Sequence, residues 1–281
     1  MRLVTLRTAA GTRAARLDGN TGDPDSGTLT VLDGVADVGS LLARPDWREV
    51  AAAAVGEQIP YAGADLAPVV PHPGKVICAG LNYRSHILEM GMELPAFPTL
   101  FPKFAESLVG ATDDVLLPPE DPHLDWEAEL AVVIGTPVRR ATEQTAAAAI
   151  AGWTVSNDVS MRGWQFRTAQ WLAGKGWERS TPLGPALVTP DEWAPGPTIR
   201  ATVAGELMQE ASTDDLVFSP AALVAYISTM ITLQPGDVVL TGTPGGVGYA
   251  RTPPRWLVDG EVVEISIDGL GVLRNQIRAE R

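Results

Sequence analysis

The sequence predicts a protein of the α+β class. Three observations carry this reading. Segments with strand character follow one another instead of alternating with helices, which argues against a doubly wound parallel sheet. Helical segments are few. The 281 residues are 45% apolar and 20% charged, the make-up of an ordinary globular protein long enough to bury a sizeable core.

From the N-terminus, MRLVTLR and TLTVL read as strands joined by the turn-rich DGNTGDPDSG. Residues 37–56 read as one or two helices, with Asp46 as the N-cap of the second. The stretch YAGADLAPVVPHPGK is rich in Pro and Gly and has no period, so a boundary falls within 60–72. A small α+β domain, 1–70, then precedes a body, 71–281. In the body, VICAGLN, DVLLPP, LDWEAELAVVIG, GWTVSNDVS, PALVT, IRATVAGELMQ, DVVLTG and VVEISIDGLGVLRNQIR all read as strands. The last contains Asp268-Gly269, a hairpin signal. Three helices are expected, at 84–90, 142–151 and 219–233. The third opens with Ser219 at the N-cap and Pro220 at the first helical position.

Charge narrows the function. There are 34 acidic and 21 basic residues, a formal net charge of −13. A chain this acidic lacks the basic face that nucleic acid or an anionic membrane surface requires. One cysteine, Cys78, allows no intrachain disulfide, and a reducing compartment fits. The first residues lack the apolar region of a signal peptide, and the uncharged stretch 216–236 holds a helix of only about 14 residues, too short for a bilayer. A cytoplasmic, soluble protein is expected.

The acids are not spread evenly. Asp113, Asp114, Glu120, Asp121, Asp125, Glu127 and Glu129 fall in one stretch with no Lys or Arg. On a strand, alternate side chains share a face. One face of LDWEAELAVVIG carries Asp125, Glu127, Glu129, Ala131 and Val133. The other carries Trp126, Ala128, Leu130, Val132 and Ile134. Glu127 and Glu129 are thus neighbours on a strand heading into the core. Either they face water at an edge, or a divalent cation compensates them, with Mg2+, Mn2+ or Ca2+ suited to such hard oxygen ligands. Asp158, at the end of another strand, is a candidate third ligand, or else a capping Asp.

Three further groups stand out. His86 and Glu89 are three residues apart and share a helical face, either as a surface pair or as a carboxylate-oriented general base. The loop Gly242-Thr243-Pro244-Gly245-Gly246-Val247-Gly248 follows a strand. It is a tight turn or a cradle for a carboxylate or enolate, and it lacks the spacing of a nucleotide-binding loop. Lys175, ten residues after Gln165, is solvated or holds a substrate oxyanion.

AGLNYRSHILEMG, LDWEAELAVVIG, GWTVSNDVSMRGWQ, GKGWERSTPLGP and LQPGDVVLTGTPGGVG, in this order, resemble the successive blocks of the fumarylacetoacetate hydrolase family. The resemblance covers about residues 73–278. It implies a mixed β-roll, a homodimer, and Mg2+ (with Mn2+ or Ca2+ as alternatives) held by Glu127, Glu129 and Asp158. It makes His86 and Glu89 a water-activating or proton-shuttling dyad, Lys175 the contact to the developing oxyanion, and Arg162, Gln165 and Thr243 substrate contacts. Lys103 and Ser107, in TLFPKFAESLVG, also fit the family and receive no role. Two departures touch pocket shape: Gly163 stands where Asp is common, and Trp177-Glu178 where Phe-Asp is common. The substrate class implied is a small anionic 2-oxo acid or 1,3-dicarbonyl compound. The leading expectation is hydrolysis of a C–C bond by a His86-activated water. Decarboxylation or isomerisation of a 2-oxo diacid at the same site is the alternative, and a non-catalytic ligand-binding protein comes last.

Overall fold

The computed structural model describes residues 1–19, 26–89 and 91–280, without the side chains of His86 and Glu89. Residues 20–25 of the expected N-terminal loop, and the last residue of the expected 84–90 helix, lie outside this description.

The strand Ala128–Ile134 is the centre of the molecule, and every residue in it is buried. The alternation read from the sequence explains how. Leu130, Val132 and Ile134 point into one apolar core with Ile199, Ala201, Val263, Ile265 and Leu273. Ala131 and Val133 point into a second core, with Val38, Leu41, Leu42 and Trp47 of two N-terminal helices. One strand therefore serves two layers of packing, and its apolar residues occupy both faces.

Ala128–Ile134 lies inside an 11-stranded mixed sheet. On one side it pairs antiparallel with Ile150–Asn157, which pairs with Thr181–Val188. Arg2–Thr8 joins Thr181–Val188, and Gly11–Asp18, Thr28–Val31 and Gln58–Pro60 follow outward. On the other side come Val238–Leu240, then Val76–Gly80 in parallel, then Thr99–Lys103 at the edge. A five-stranded sheet containing Thr198–Val203, Val262–Ile267 and Gly271–Ala279 covers the first core. No described helix is long and apolar enough to cross a membrane.

Local signals explain most elements. Ser219 caps Pro220–Met230, its side chain accepting the Ala222 N–H at 3.1 Å. The Asp268-Gly269 signal turns Val262–Ile267 into Gly271–Ala279, with Gly269 at φ 85°. Two expectations need correction. IRATVAGELMQ is not one strand but a hairpin, Thr198–Val203 with Glu206–Ser212. Ala204 and Gly205 both take left-handed φ at the turn, which an Ala rarely does, so the turn was hidden. Asp46 precedes Trp47–Ala52 but makes no capping bond, because its carboxylate is taken by Arg44 at 3.1 Å.

The two-sided burial of Ala128–Ile134 makes a stability prediction. Leu130 is fully buried. Leu130→Ala should cost about 2–5 kcal/mol, seen as a lower urea midpoint at an unchanged slope.

Candidate active site

The acidic face of this central strand continues upstream into a break. Leu124–Asp125 pairs with Ser160–Met161, and Ala128–Ile134 pairs with Ile150–Asn157. Between them the Glu127 N–H leaves the ladder and donates to Asn157 Oδ1 at 2.9 Å. The Asp158 N–H donates to the Glu127 carbonyl, also at 2.9 Å. These two bonds set Glu127, Glu129 and Asp158 around one point. Carboxylate oxygens of the three lie within 4.8 Å of one another, and all three residues are buried. At 4.8 Å, two unit charges repel by roughly 3–4 kcal/mol for an effective dielectric near 20. Three ionised carboxylates need compensation.

Most of it comes from three buried cations. Lys175 Nζ lies 2.7 Å from Glu127 Oε2 and 2.8 Å from Asp158 Oδ2. Lys103 Nζ lies 2.7 Å from Asp158 Oδ1. Arg162 joins Glu127 Oε1 at 2.7 Å to Asp125 Oδ2 at 2.8 Å. Burial pushes the Asp158 carboxyl up, but Lys103 and Lys175 pull it further down, and it sits below the usual range. Burial likewise works against the Lys175 and Arg162 charges. The carboxylates outweigh it and raise both pKa values, so both side chains stay protonated.

Glu129 differs. Among the described residues it has no ion-pair partner, and its Oε2 accepts a neutral N–H from Gly242 at 2.8 Å. Burial, then Asp158 and Glu127, raise its pKa well above the ordinary carboxylate value. It is the member of the set that an added cation would change most. Among the described residues, three carboxylates with no sulfur or imidazole make a hard oxygen donor set that fits a divalent cation of the Mg2+, Mn2+ or Ca2+ kind.

The set opens on a cavity of about 210 Å3, lined by Glu127, Glu129, Arg162, Gln165, Lys175 and Thr243 among others. Six of the residues named from sequence thus meet at one cavity, with Asp158 directly behind Lys175. Local chemistry places them. Gly174 allows the helix Leu172–Lys175 to touch the helix Arg162–Gln165, since a Cβ there would come 2.4 Å from Gln165 Cβ. Arg162 also bonds Gln165 Oε1 at 2.7 Å. Thr243 Oγ1 accepts from Gln209 at 2.9 Å, which leaves its own hydrogen free to donate. His86 and Glu89 lie on the helix Arg84–Glu89, directly after the cavity residues Asn82 and Tyr83.

The glycine loop is a cradle for carboxylates, and they are the protein's own. Its Gly242 N–H holds Glu129, while the N–H groups of Gly248 and Tyr249 hold Asp125 at 2.7 and 3.0 Å. Sequence reasoning missed three contributors. Asp125 was one acid among seven, and nothing local marked it as the anchor of Arg162. Lys103 was noticed but given no role; its rarity, one of three lysines, was the available signal. The Tyr83 hydroxyl is buried at the cavity and has no hydrogen-bond partner among the described residues. Burial first, then Glu129, keep it protonated as a donor. Both departures from the family pattern lie off the cavity lining. Trp177 packs edge-on against Trp164 at 5.2 Å, and Gly163 faces Asp121.

The family model for the C-terminal region of fumarylacetoacetate (FAA) hydrolase matches residues 75–278. The chain belongs to the fumarylacetoacetate hydrolase family. A mitochondrial oxaloacetate tautomerase of Rattus norvegicus is 46% identical over 215 residues, 75% of this chain and 68% of the relative. The structure of fumarylacetoacetate hydrolase from psychrophilic Exiguobacterium antarcticum matches with TM-score 0.88 and 30% identity over the full length of both chains. That of 5-carboxymethyl-2-hydroxymuconate delta-isomerase from Mycobacterium smegmatis matches with TM-score 0.83 and 31% identity, again over both full lengths. The family's fold is therefore the fold of this chain, and the relatives are enzymes of small organic acids.

The raised Glu129 pKa gives a signed prediction. A cation favours the ionised carboxylate, so binding expels a proton from any Glu129 that is protonated beforehand. Mn2+ affinity should fall as pH falls through the raised pKa. Calorimetric titration in two buffers of different ionisation heat should show proton release, and Glu129→Gln should abolish it.

Proposed function

We propose that this chain is a divalent-metal-dependent isomerase that interconverts the keto and enol forms of a 2-oxo acid, with oxaloacetate the first compound to assay. The carrying observation is the buried Glu127–Glu129–Asp158 set at a cavity that also presents Lys175. The names of two relatives, a tautomerase at 46% identity and a delta-isomerase at 31%, support isomerisation ahead of the hydrolysis that the sequence put first. Mg2+ is the proposed ion, with Mn2+ or Ca2+ as alternatives, held by Glu127, Glu129 and Asp158. When bound, it supplies Lewis-acid polarisation of the substrate's oxo group.

The chain's own residues supply the rest. Arg162 and Gln165 grip the substrate carboxylate from one helix. The Lys175 ammonium, held in place by Glu127 and Asp158, donates to the oxygen that becomes the enolate. Thr243 and Tyr83 offer further O–H donors at the cavity wall. His86, with Glu89 assigned as its partner, takes the proton from the carbon next to the oxo group and delivers it to the enolate oxygen, and the same transfer runs backwards in the reverse reaction. Phe101, Trp171, Phe166 and Tyr249 add aromatic surface to the cavity wall. Tautomerisation needs two tasks, stabilising an enolate and moving one proton, and each assigned residue serves one of them.

Hydrolysis of a C–C bond is kept as the second reading, favoured by the 30% identical hydrolase structure. There a His86-activated water adds to the substrate carbonyl, the adjacent C–C bond breaks with its electron pair leaving as an enolate, and the proton taken from water goes to that enolate carbon. Two assays separate the readings. With oxaloacetate and Mg2+, loss of the enol's ultraviolet absorbance should accelerate, and EDTA should abolish the effect. With an acylpyruvate in H2(18)O, label in a carboxylate product would establish hydrolysis. His86→Ala should lower tautomerase turnover by about 10²–10⁴-fold while Mg2+ affinity stays at the wild-type value. Undiminished turnover would remove His86 from the mechanism.

A further inference from the structure

Asp121 and Gly163 meet at a point that none of the proposed roles uses. Asp121 is 2% exposed. Its Oδ1 accepts the His123 backbone N–H at 3.0 Å and lies 2.8 Å from His123 Nδ1. Its Oδ2 accepts the Trp164 backbone N–H at 3.2 Å. The His123 carbonyl accepts the Arg162 N–H at 3.0 Å. Two leading N–H groups of the helix Arg162–Gln165, which such a helix cannot satisfy internally, are thus held by the 121–123 turn. The helix has four residues, far too few to persist on its own, and its N-cap Met161 supplies no side-chain bond. Yet this helix carries Arg162 and Gln165 to the cavity.

Gly163 shows how tightly the contact is built. A Cβ at 163 would come 2.7 Å from Asp121 Oδ1, 2.9 Å from Oδ2 and 3.0 Å from Cγ. Its backbone is not left-handed, so no torsional demand requires glycine there. Glycine stands at 163 because the Asp121 carboxylate fills the volume that a side chain would take. A carboxylate carried by residue 163 would reach that same volume, beside the same N–H groups.

We propose that Asp121 is a positioning residue for Arg162 and Gln165, and that its carboxylate and a side chain at 163 are exchangeable occupants of one place. The exchange follows from geometry alone; the consequence for substrate rests on the functional reading above.

Four proteins test this: wild type, Asp121→Ala, Gly163→Asp, and the double variant Asp121→Ala/Gly163→Asp. Each single change should lower the thermal midpoint by roughly 2–5 °C, one by freeing the helix N–H groups and the other by crowding two carboxylates. The double variant should recover most of that loss, a strongly non-additive cycle. In the oxaloacetate assay, Asp121→Ala should raise KM about tenfold with kcat within about threefold, and the double variant should bring KM back. Additive midpoint losses would overturn the exchange. A wild-type KM in Asp121→Ala would overturn the positioning role and leave Asp121 purely structural. If the wild type turns over no 2-oxo acid, the functional reading fails by itself. The midpoint cycle, with hydrogen-exchange protection of the Trp164 amide, then still decides the exchange.

Discussion

The structure depends on one electrostatic constraint. Asp125, Glu127, Glu129 and Asp158 are buried together in the core, against three buried cations. Desolvated carboxylates are costly unless each finds a cation, a donor or a proton. Here the compensating groups come from four different segments. Lys103 arrives on the edge strand Thr99–Lys103, Arg162 and Lys175 on two four-residue helices, and the N–H groups of Gly242, Gly248 and Tyr249 on the glycine loop. Neither helix is long enough to exist by propensity. What their charged side chains neutralise helps to set their place, together with the 121–123 turn that holds the N–H groups of the first.

The same constraint makes the site responsive. Among the described residues, Glu127 and Asp158 each hold two cationic contacts, whereas Glu129 holds one neutral donor. The imbalance leaves one carboxylate whose charge is favoured by a ligand and by little else. Lys175 bridges Glu127 and Asp158, so a cation held by the acids would compete with its ammonium for the same carboxylates. In the proposed function metal affinity and oxyanion stabilisation are coupled, because the ammonium that relieves repulsion among the buried acids is also the group assigned to the substrate oxygen.

What was legible in the sequence was local or periodic. Period-two alternation in LDWEAELAVVIG assigned Trp126, Leu130, Val132 and Ile134 to one core and Glu127 and Glu129 to the opposite face, because strand geometry fixes that pattern over a few residues. Ser219-Pro220 announced its helix for the same reason. What stayed hidden was long-range or competitive. Nothing near Asp125 tells that it will meet Arg162, 37 residues on. Asp46 has the residue type of a cap, but Arg44, two positions away, takes its carboxylate. The turn at Ala204-Gly205 needs an Ala in a conformation that its side chain disfavours, and the tertiary pairing of two strands imposes it. The departures at Gly163 and Trp177 looked like changes in pocket shape; the structure moves both outside the cavity lining, where a neighbouring carboxylate and a neighbouring indole account for them.

The three acids are proposed to form a cation site held ready by Lys175. Diffraction from crystals soaked in Mn2+, at a wavelength where manganese scatters anomalously, tests it most directly. One strong peak should appear among the Glu127, Glu129 and Asp158 carboxylates, with Lys175 Nζ moved away from Glu127 Oε2 toward the cavity. A peak elsewhere, or an unchanged Lys175–Glu127 contact with no ion among the three acids at saturating Mn2+, would contradict it.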